Sequence, residues 1–135
     1  MVIIMWNGKK KAVTFSYDDG VEQDRRLIAL FNKYGMKATV NQNSGIQTRA
    51  DTFTQGNIVV HRMNQKDMRE LYKGHEIASH TLTHANLKGL DEETVYNEIS
   101  TDIRNLEAFY EQKIAGFVFP FGTYDESEHE SCYFL

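Results

Sequence analysis

Hydrophobic residues recur along this chain with two different spacings, one typical of strands and one typical of helices. Four short stretches are rich in β-branched, aromatic or small apolar residues and predict strands, at residues 12–17, 37–41, 76–79 and 114–119. Gly or Pro follows closely after the first and the last of them, as Asp18-Asp19-Gly20 and as Pro120. The pattern therefore predicts four strands separated by other elements.

Helical spacing of apolar residues appears between these strands. The first helix has Gly35 at its expected C-cap and carries Leu27, Leu30, Phe31 and Tyr34. The last and longest helix begins at Asp91, and its apolar face is formed by Val95, Ile99, Ile103, Leu106, Phe109 and Tyr110.

A shorter helix is predicted from a cap at Asn64, with Asp67 at the capping-box position and Gly74 at its end. The preceding polar stretch, residues 42–56, contains Ser44-Gly45 and predicts a loop. Strands that alternate with helices indicate an α/β fold, in which a parallel sheet is joined by crossover helices.

Length and charge narrow the functional classes. With 135 residues we expect one domain spanning residues 1–135. Fifteen basic against nineteen acidic residues give a net charge of −4, so nucleic acid is not an expected partner. The first residues lack the features of a signal peptide and no apolar run is long enough for a membrane span, so a cytoplasmic location is the default expectation. A single cysteine, Cys132, forms no internal disulfide and is interpreted as incidental.

The residues suited to chemistry cluster directly after predicted strands. Asp18-Asp19-Gly20 follows the first strand, residues 80–84 (HTLTH) the third, and Pro120-Phe121-Gly122-Thr123 the fourth. Because parallel α/β folds bind ligands at the carboxyl ends of their strands, we expect these three segments to meet in one cleft.

Two histidines in this set, His80 and His84, are four residues apart and would face the same way in a helical turn. Together with a carboxylate from Asp18 or Asp19 they supply a two-histidine, one-carboxylate metal site with open coordination positions. The alternative is a pair of ordinary histidines beside capping aspartates, which the placement after two strands makes the less favoured interpretation.

The other histidines are not assigned to the chemistry. A zinc-protease motif starting at His75-Glu76 fails, because Ser79 stands where its second histidine is required. His75 is expected at a strand edge, where it could support a metal ligand. His61 and His129 lie in polar stretches and are expected to be solvated.

These motifs resemble those of the polysaccharide deacetylases, the NodB-like domain of carbohydrate esterase family four. Residues 16–20 (SYDDG) resemble the first motif, residues 79–84 (SHTLTH) the second, and residues 119–122 (FPFG) part of the third, in the family's order and approximate spacing. The resemblance covers nearly the whole chain, from Lys11 to Tyr124.

The resemblance implies a distorted (β/α) barrel that removes N- or O-acetyl groups from carbohydrate with a divalent metal, commonly zinc, with cobalt, manganese or nickel as other options. By motif, Asp19, His80 and His84 would hold the metal and Asp18 would be the general base. A backbone N–H near Phe121 would stabilise the developing oxyanion.

Two departures from the family pattern accompany the resemblance. Val118 stands where the third motif often has an arginine that orients the catalytic carboxylate. Family domains are also longer, and this chain stops before the motif that carries their general-acid histidine, a role that we do not give to His129. We therefore expect a domain truncated at its C-terminus, corresponding to the first two-thirds of a deacetylase.

Three functions follow from these observations, in decreasing order of preference. The first is a truncated metal-dependent deacetylase, whose open sheet edge would favour self-association and whose acidic tail is expected to be disordered or to cover that edge. The second is a non-catalytic relative that keeps a metal-binding or sugar-binding cleft. The third is an unrelated α/β scaffold in which the motifs are coincidental.

Overall fold

Strands and helices alternate along the chain. The structure is a computed structural model that describes residue 8 and residues 10–123. Its elements in chain order are β1 (Ser16–Asp18), α1 (Asp24–Lys33), β2 (Thr39–Gln42), β3 (Thr52–Gln55), β4 (Ile58–His61), α2 (Gln65–Leu71), β5 (Glu76–Ser79), α3 (Glu92–Tyr110), β6 (Gly116–Phe117) and a 3₁₀ turn (Pro120–Gly122).

The main sheet has four strands in the order β1-β2-β5-β6, and every neighbouring pair is parallel. Its register places Asp18 beside Asn41, Asn41 beside Ala78, and Ala78 beside Gly116. The carboxyl ends of all four strands therefore meet at one edge of the sheet. This topology confirms the α/β fold with a parallel sheet and crossover helices.

Two of the predicted strands are shorter in the structure. The stretch 12–17 contributes only its end, because β1 covers Ser16–Asp18, and the stretch 114–119 contributes only Gly116–Phe117. Both are outer strands of the described sheet and pair on one side only. An outer strand has one neighbour to define its length, so apolar sequence alone overestimates it.

The core lies between the sheet and the helices. Val40 and Ile77 are neighbours on β2 and β5, and both are buried in one cluster with Phe31 of α1, Met68 of α2 and Leu106 of α3. A second cluster joins α3 to the preceding loop through buried Leu87, Val95 and Ile99. The structure thus confirms the apolar face predicted for the longest helix, whose Ile103, Phe109 and Tyr110 are partly buried.

Helix α1 buries a face slightly rotated from the predicted one. Its buried residues are Asp24, Ile28 and Phe31, whereas Leu30 is 43% exposed and Tyr34 is 65% exposed. The side chain of Asp24 accepts a hydrogen bond from Tyr72 Oη at 2.6 Å, which makes this polar position part of the buried face. A pattern of apolar residues cannot reveal a buried face that includes a carboxylate.

The predicted loop 42–56 is partly wrong, because it contains β3, which pairs with β4 in an antiparallel hairpin. Ile58 and Val59 on this hairpin are exposed, so no alternation of buried and exposed residues marks it. Backbone hydrogen bonds from Glu22 N to His61 O and from Met63 N to Gly20 O attach the hairpin to the segment after β1. The hairpin therefore lies against the predicted Asp-Asp-Gly segment.

Of the two predicted helix N-caps, one is confirmed and one is wrong. Asp91 caps α3 as predicted, since its side chain accepts a hydrogen bond from Thr94 N at 2.9 Å. Asn64 precedes α2 without a side-chain cap, so the predicted capping box is wrong. Its Oδ1 instead accepts a hydrogen bond from Arg49 N at 3.0 Å, which ties α2 to the loop before β3.

Candidate metal centre

The candidate site lies at the carboxyl edge of the sheet, where the backbone is unusual. Five non-glycine residues of the described chain have positive φ, and four of them lie here: Asp19 (79°), Thr81 (66°), His84 (58°) and Phe121 (61°). A β-branched residue such as Thr81 adopts this conformation rarely, and each such residue costs about 1–3 kcal/mol. Strain concentrated at one edge of a sheet is typical of a functional site.

Three predicted ligands come together at this edge. Asp19, His80 and His84 each offer one ligand atom, and these atoms all lie within 4.8 Å of one another. His84 Nε2 is 3.5 Å from Asp19 Oδ1, and the two imidazole rings meet edge to face with centroids 4.9 Å apart. The residue pattern alone left open which aspartate joins the histidines, and the family resemblance implied Asp19. The group of three in the structure contains Asp19 and not Asp18.

The histidines do not share the helical turn that their spacing predicted. Residues 80–84 form an irregular loop, and positive φ at Thr81 and His84 turns the chain so that both rings converge. Leu82 N donates to Glu98 O on α3, and Leu82 O accepts from Gly45 N. At Gly45 a Cβ would lie 2.7 Å from Leu82 O, so only glycine allows the two loops to pack this closely.

His80 is held in one orientation and one tautomer. Its ring is buried, and its Nδ1 is 2.8 Å from Val118 O, a carbonyl that can only accept a hydrogen bond. The proton therefore resides on Nδ1, which leaves the lone pair of Nε2 for a metal. Val118 occupies the position at which the family resemblance would place an arginine, and it contacts His80 through its backbone carbonyl.

His84 lies between Asp19 and the third motif. Burial lowers the pKa of its imidazole, an effect opposed by the negative charge of Asp19, so the neutral form that ligates metals is favoured. Its ring contacts the ring of Phe121 edge to face, with centroids 4.7 Å apart. All three predicted motifs thus converge, as the sequence analysis expected.

Asp19 presents a buried carboxylate oxygen between Arg62 and His84. Within the described residues its Oδ1 has no hydrogen bond of good geometry, although Arg62 Nη2 lies 2.9 Å away as an ion pair. One buried carboxylate oxygen beside two imidazoles is a donor set that suits zinc and related divalent metals. The residues present therefore fit a bound divalent metal.

Asp18 is separate from this group and exposed at the end of β1. Its Oδ1 accepts a hydrogen bond of 2.6 Å from Asn41 Nδ2, and Asn41 also donates to Ser16 Oγ at 2.8 Å. The buried Asn41 amide thus fixes the Asp18 carboxylate, which is not part of the group formed by Asp19, His80 and His84.

Four polar residues that the sequence analysis did not assign support the site: Asn41, Asn43, Arg62 and Asp102. Asp102 on α3 is fully buried and accepts hydrogen bonds from Ser44 N, Ser79 Oγ and His80 N. Burial raises the pKa of its carboxyl group, and these hydrogen bonds oppose that rise. Residues 41–43 (NQN) directly follow the apolar part of β2. Asp18 and His80 were assigned because they follow predicted strands, and the same criterion would have selected this run.

The remaining histidines lie away from the ligands or outside the described residues. His61 is exposed and interacts with Arg49 O, in agreement with its expected solvation. His75 is buried at the opposite end of β5, where Ala38 N donates to its Nδ1 and Asn32 Oδ1 faces its Nε2. The idea that His75 supports a metal ligand is therefore wrong. His129, Cys132 and the acidic tail lie outside the described residues.

Comparison with known proteins identifies the family. The family model for polysaccharide deacetylases matches residues 6–131. The chain belongs to the polysaccharide deacetylase family. A curated relative, described as "Putative polysaccharide deacetylase YxkH" of Bacillus subtilis strain 168, is 26% identical over 121 residues, which cover 87% of this chain and 39% of YxkH.

Solved structures support the same fold. The Streptococcus pyogenes deacetylase PplD, in complex with acetate, superposes with a TM-score of 0.78 at 21% identity, covering 93% of this chain and 53% of PplD. BA3943 of Bacillus anthracis, a CE4 family pseudoenzyme, superposes with a TM-score of 0.69 at 20% identity, covering 93% of this chain and 41% of BA3943. The chain thus spans about half or less of these relatives, whose family fold is a distorted (β/α) barrel. Because a deacetylase and a pseudoenzyme share this fold, the fold alone does not decide activity.

No helix in residues 10–123 combines the length and the hydropathy that crossing a membrane would need.

Proposed function

We propose that this chain is the deacetylase-type part of a metal-dependent hydrolase that removes acetyl groups from amino sugars or acetylated polysaccharide. The observation that carries the proposal is the convergence of Asp19, His80 and His84 within 4.8 Å. Asp18 directly precedes Asp19 in the chain. We also propose that residues 1–135 belong to one domain, in line with the family match over residues 6–131.

Asp19, His80 and His84 would hold a divalent metal, with zinc favoured by two imidazoles and one carboxylate, and cobalt, manganese or nickel as alternatives. When bound, such a metal lowers the pKa of a water molecule and polarises an acetyl carbonyl. The hydrogen bond from His80 Nδ1 to Val118 O keeps Nε2 available, and the burial of His84 favours its neutral form.

Asp18 would accept the proton of the attacking water. Its exposed position leaves it accessible to substrate, and the Asn41 amide at 2.6 Å fixes its Oδ1 while Oδ2 keeps its lone pairs. Phe121 would supply a backbone N–H to the developing oxyanion, a role supported by its positive φ and by its ring contact with His84.

The test is acetate release by the purified chain, loaded with zinc, from N-acetylglucosamine oligomers and from acetylated xylan. The matched variant is Asp18→Asn, because an amide oxygen still accepts the hydrogen bond from Asn41 but cannot accept a proton at neutral pH. Loss of a general base costs about 10²–10⁴-fold in rate, so Asp18→Asn is expected to lose that much activity and to keep its zinc.

Full activity in Asp18→Asn would show that this carboxylate is structural. A wild-type chain that binds zinc but releases no acetate from either substrate would favour the second candidate function, a non-catalytic metal-binding or sugar-binding relative. The similarity to the pseudoenzyme BA3943 supports keeping that candidate.

We further propose that copies of the 135-residue chain associate through the edge of the sheet at β6. Within the described residues β6 pairs only with β5, and its residues Gly116 and Phe117 line a groove of about 530 Å³ that residues of α3 also line. The groove is lined in part by Ile99, Ile103, Ile114 and Phe117. An unpaired strand edge beside apolar side chains is a surface that a second chain can cover.

A further inference from the structure

We infer that Arg62 and Asn43 together form a positioning pair that sets the separation of Asp19 and His80 for metal binding. The inference rests on the metal site proposed above. It concerns two residues from segments that carry none of the three motifs.

Arg62 follows β4 and is almost completely buried, with 5% of its surface exposed. Its Nη1 donates to the backbone carbonyl of Asp19 at 2.8 Å, and its Nη2 lies 2.9 Å from Asp19 Oδ1. The guanidinium also stacks over the Phe53 ring at 5.4 Å. Arg62 therefore contacts both the backbone carbonyl and the carboxylate of Asp19, a proposed ligand whose φ is positive.

Asn43 continues this connection to the second motif. It is fully buried, and its Oδ1 accepts a hydrogen bond of 3.0 Å from Arg62 Nη1. Its Nδ2 donates to the backbone carbonyls of His80 and Thr81, the latter at 3.0 Å. Thr81 has positive φ, so Asn43 holds the strained start of the loop that carries both histidines.

One continuous chain of hydrogen bonds thus runs from Asp19 through Arg62 and Asn43 to the backbone of His80. A buried arginine is costly unless it is paired. The two terminal nitrogens of Arg62 reach Asp19 O, Asn43 Oδ1 and Asp19 Oδ1, whereas a lysine would place its donors on one nitrogen. Residues that form hydrogen bonds with metal ligands and so orient them typically contribute about 10–100-fold to metal affinity. Arg62 and Asn43 are placed to orient a carboxylate and an imidazole that follow different strands.

The test is cobalt(II) binding, measured by titration and by the absorption spectrum of the bound ion, in Arg62→Lys, Asn43→Ala and the double variant. Neither substitution changes the charge of the site, so a change in affinity reports positioning rather than electrostatic attraction. Each single variant is expected to bind cobalt about 10–100-fold more weakly and with an altered spectrum. Because the residues act as one connection, the double variant is expected to lose little more than a single variant.

Matched controls are Arg69→Lys and Asn105→Ala, which change the same residue types at exposed positions away from the ligands. Ile28→Ala lowers stability through the core of α1 and is expected to leave the cobalt affinity of the folded protein unchanged. A purely structural role for Arg62 and Asn43 would make their variants behave like Ile28→Ala. If Arg62→Lys does not fold, the inference is tested with Asn43→Ser instead. This substitution also removes the two N–H donors of Asn43 Nδ2.

Affinity within twofold of wild type in the folded single variants would overturn the inference while leaving the metal site intact. Losses that add fully in the double variant would also overturn it, because they would show two independent residues. A wild-type chain that binds no cobalt would refute the metal site itself, and with it the role of the pair.

Discussion

Replacing Asp102 with Ala is expected to lower the free energy of unfolding by about 2–4 kcal/mol. The carboxylate accepts hydrogen bonds from Ser44 N at 2.6 Å, Ser79 Oγ at 2.6 Å and His80 N at 3.3 Å. His80 N also donates to Gln42 O at 2.8 Å and keeps that acceptor, so Ser44 N and Ser79 Oγ are the donors that lose theirs. Each buried donor left without an acceptor costs about 1–3 kcal/mol, which gives roughly 2–6 kcal/mol for these two. Burial raises the pKa of Asp102, so loss of its charge returns part of this cost and the lower half of the range is expected.

The assay is urea unfolding at pH 7, followed by circular dichroism. The matched control is Asp91→Ala, on the same helix, which removes an exposed carboxylate that accepts bonds from Thr94 N and Thr94 Oγ1. Loss of that N-cap is expected to lower the stability much less, because water can replace the lost acceptor at an exposed helix end. An Asp102→Ala variant that is no less stable than Asp91→Ala would refute the view that burial makes the difference.

Two further predictions concern pH and association. Burial raises the pKa of Asp24 above its ordinary 3.8, so the folded chain binds this proton more tightly than the unfolded chain. The contribution of Asp24 to the free energy of unfolding is therefore largest at low pH and falls as pH rises from about 4 through the raised pKa. Asp24→Asn is expected to flatten that fall in urea unfolding between pH 4 and 7, and an equal slope in both proteins would contradict the assignment. Light scattering on the 135-residue chain is expected to give a dimer or larger species, whereas a stable monomer would contradict association through β6.

The order of elements could be predicted from the sequence because each strand and helix has its own spacing of apolar residues. The hairpin of β3 and β4 was missed, although Gly56-Asn57 between Thr-rich and Val-rich segments is a recognised hairpin signal. Its polar, exposed strands lacked the alternation on which the other predictions depended. The hairpin is important because it delivers Arg62 to the site.

The convergence of Asp19, His80 and His84 could be predicted because parallel strands place their carboxyl ends at one edge. The spacing of His80 and His84 indicated that the two rings would converge, but in the wrong conformation, since positive φ at Thr81 cannot be inferred from a threonine. Arg62 and Asn43 could not be predicted as partners of Asp19 and His80. The Arg62–Asp19 contact joins residues 43 positions apart and the Asn43–His80 contact joins residues 37 positions apart, and no local pattern encodes such distances.

Zinc content of the purified wild-type chain and of the double variant His80→Ala, His84→Ala tests the central claim most directly. His61→Ala is the control, because that histidine is exposed and lies apart from the three ligands. One zinc per chain is expected in the wild type and in His61→Ala, and none in the double variant. Equal zinc content in all three proteins would contradict the assignment of Asp19, His80 and His84 as a metal site.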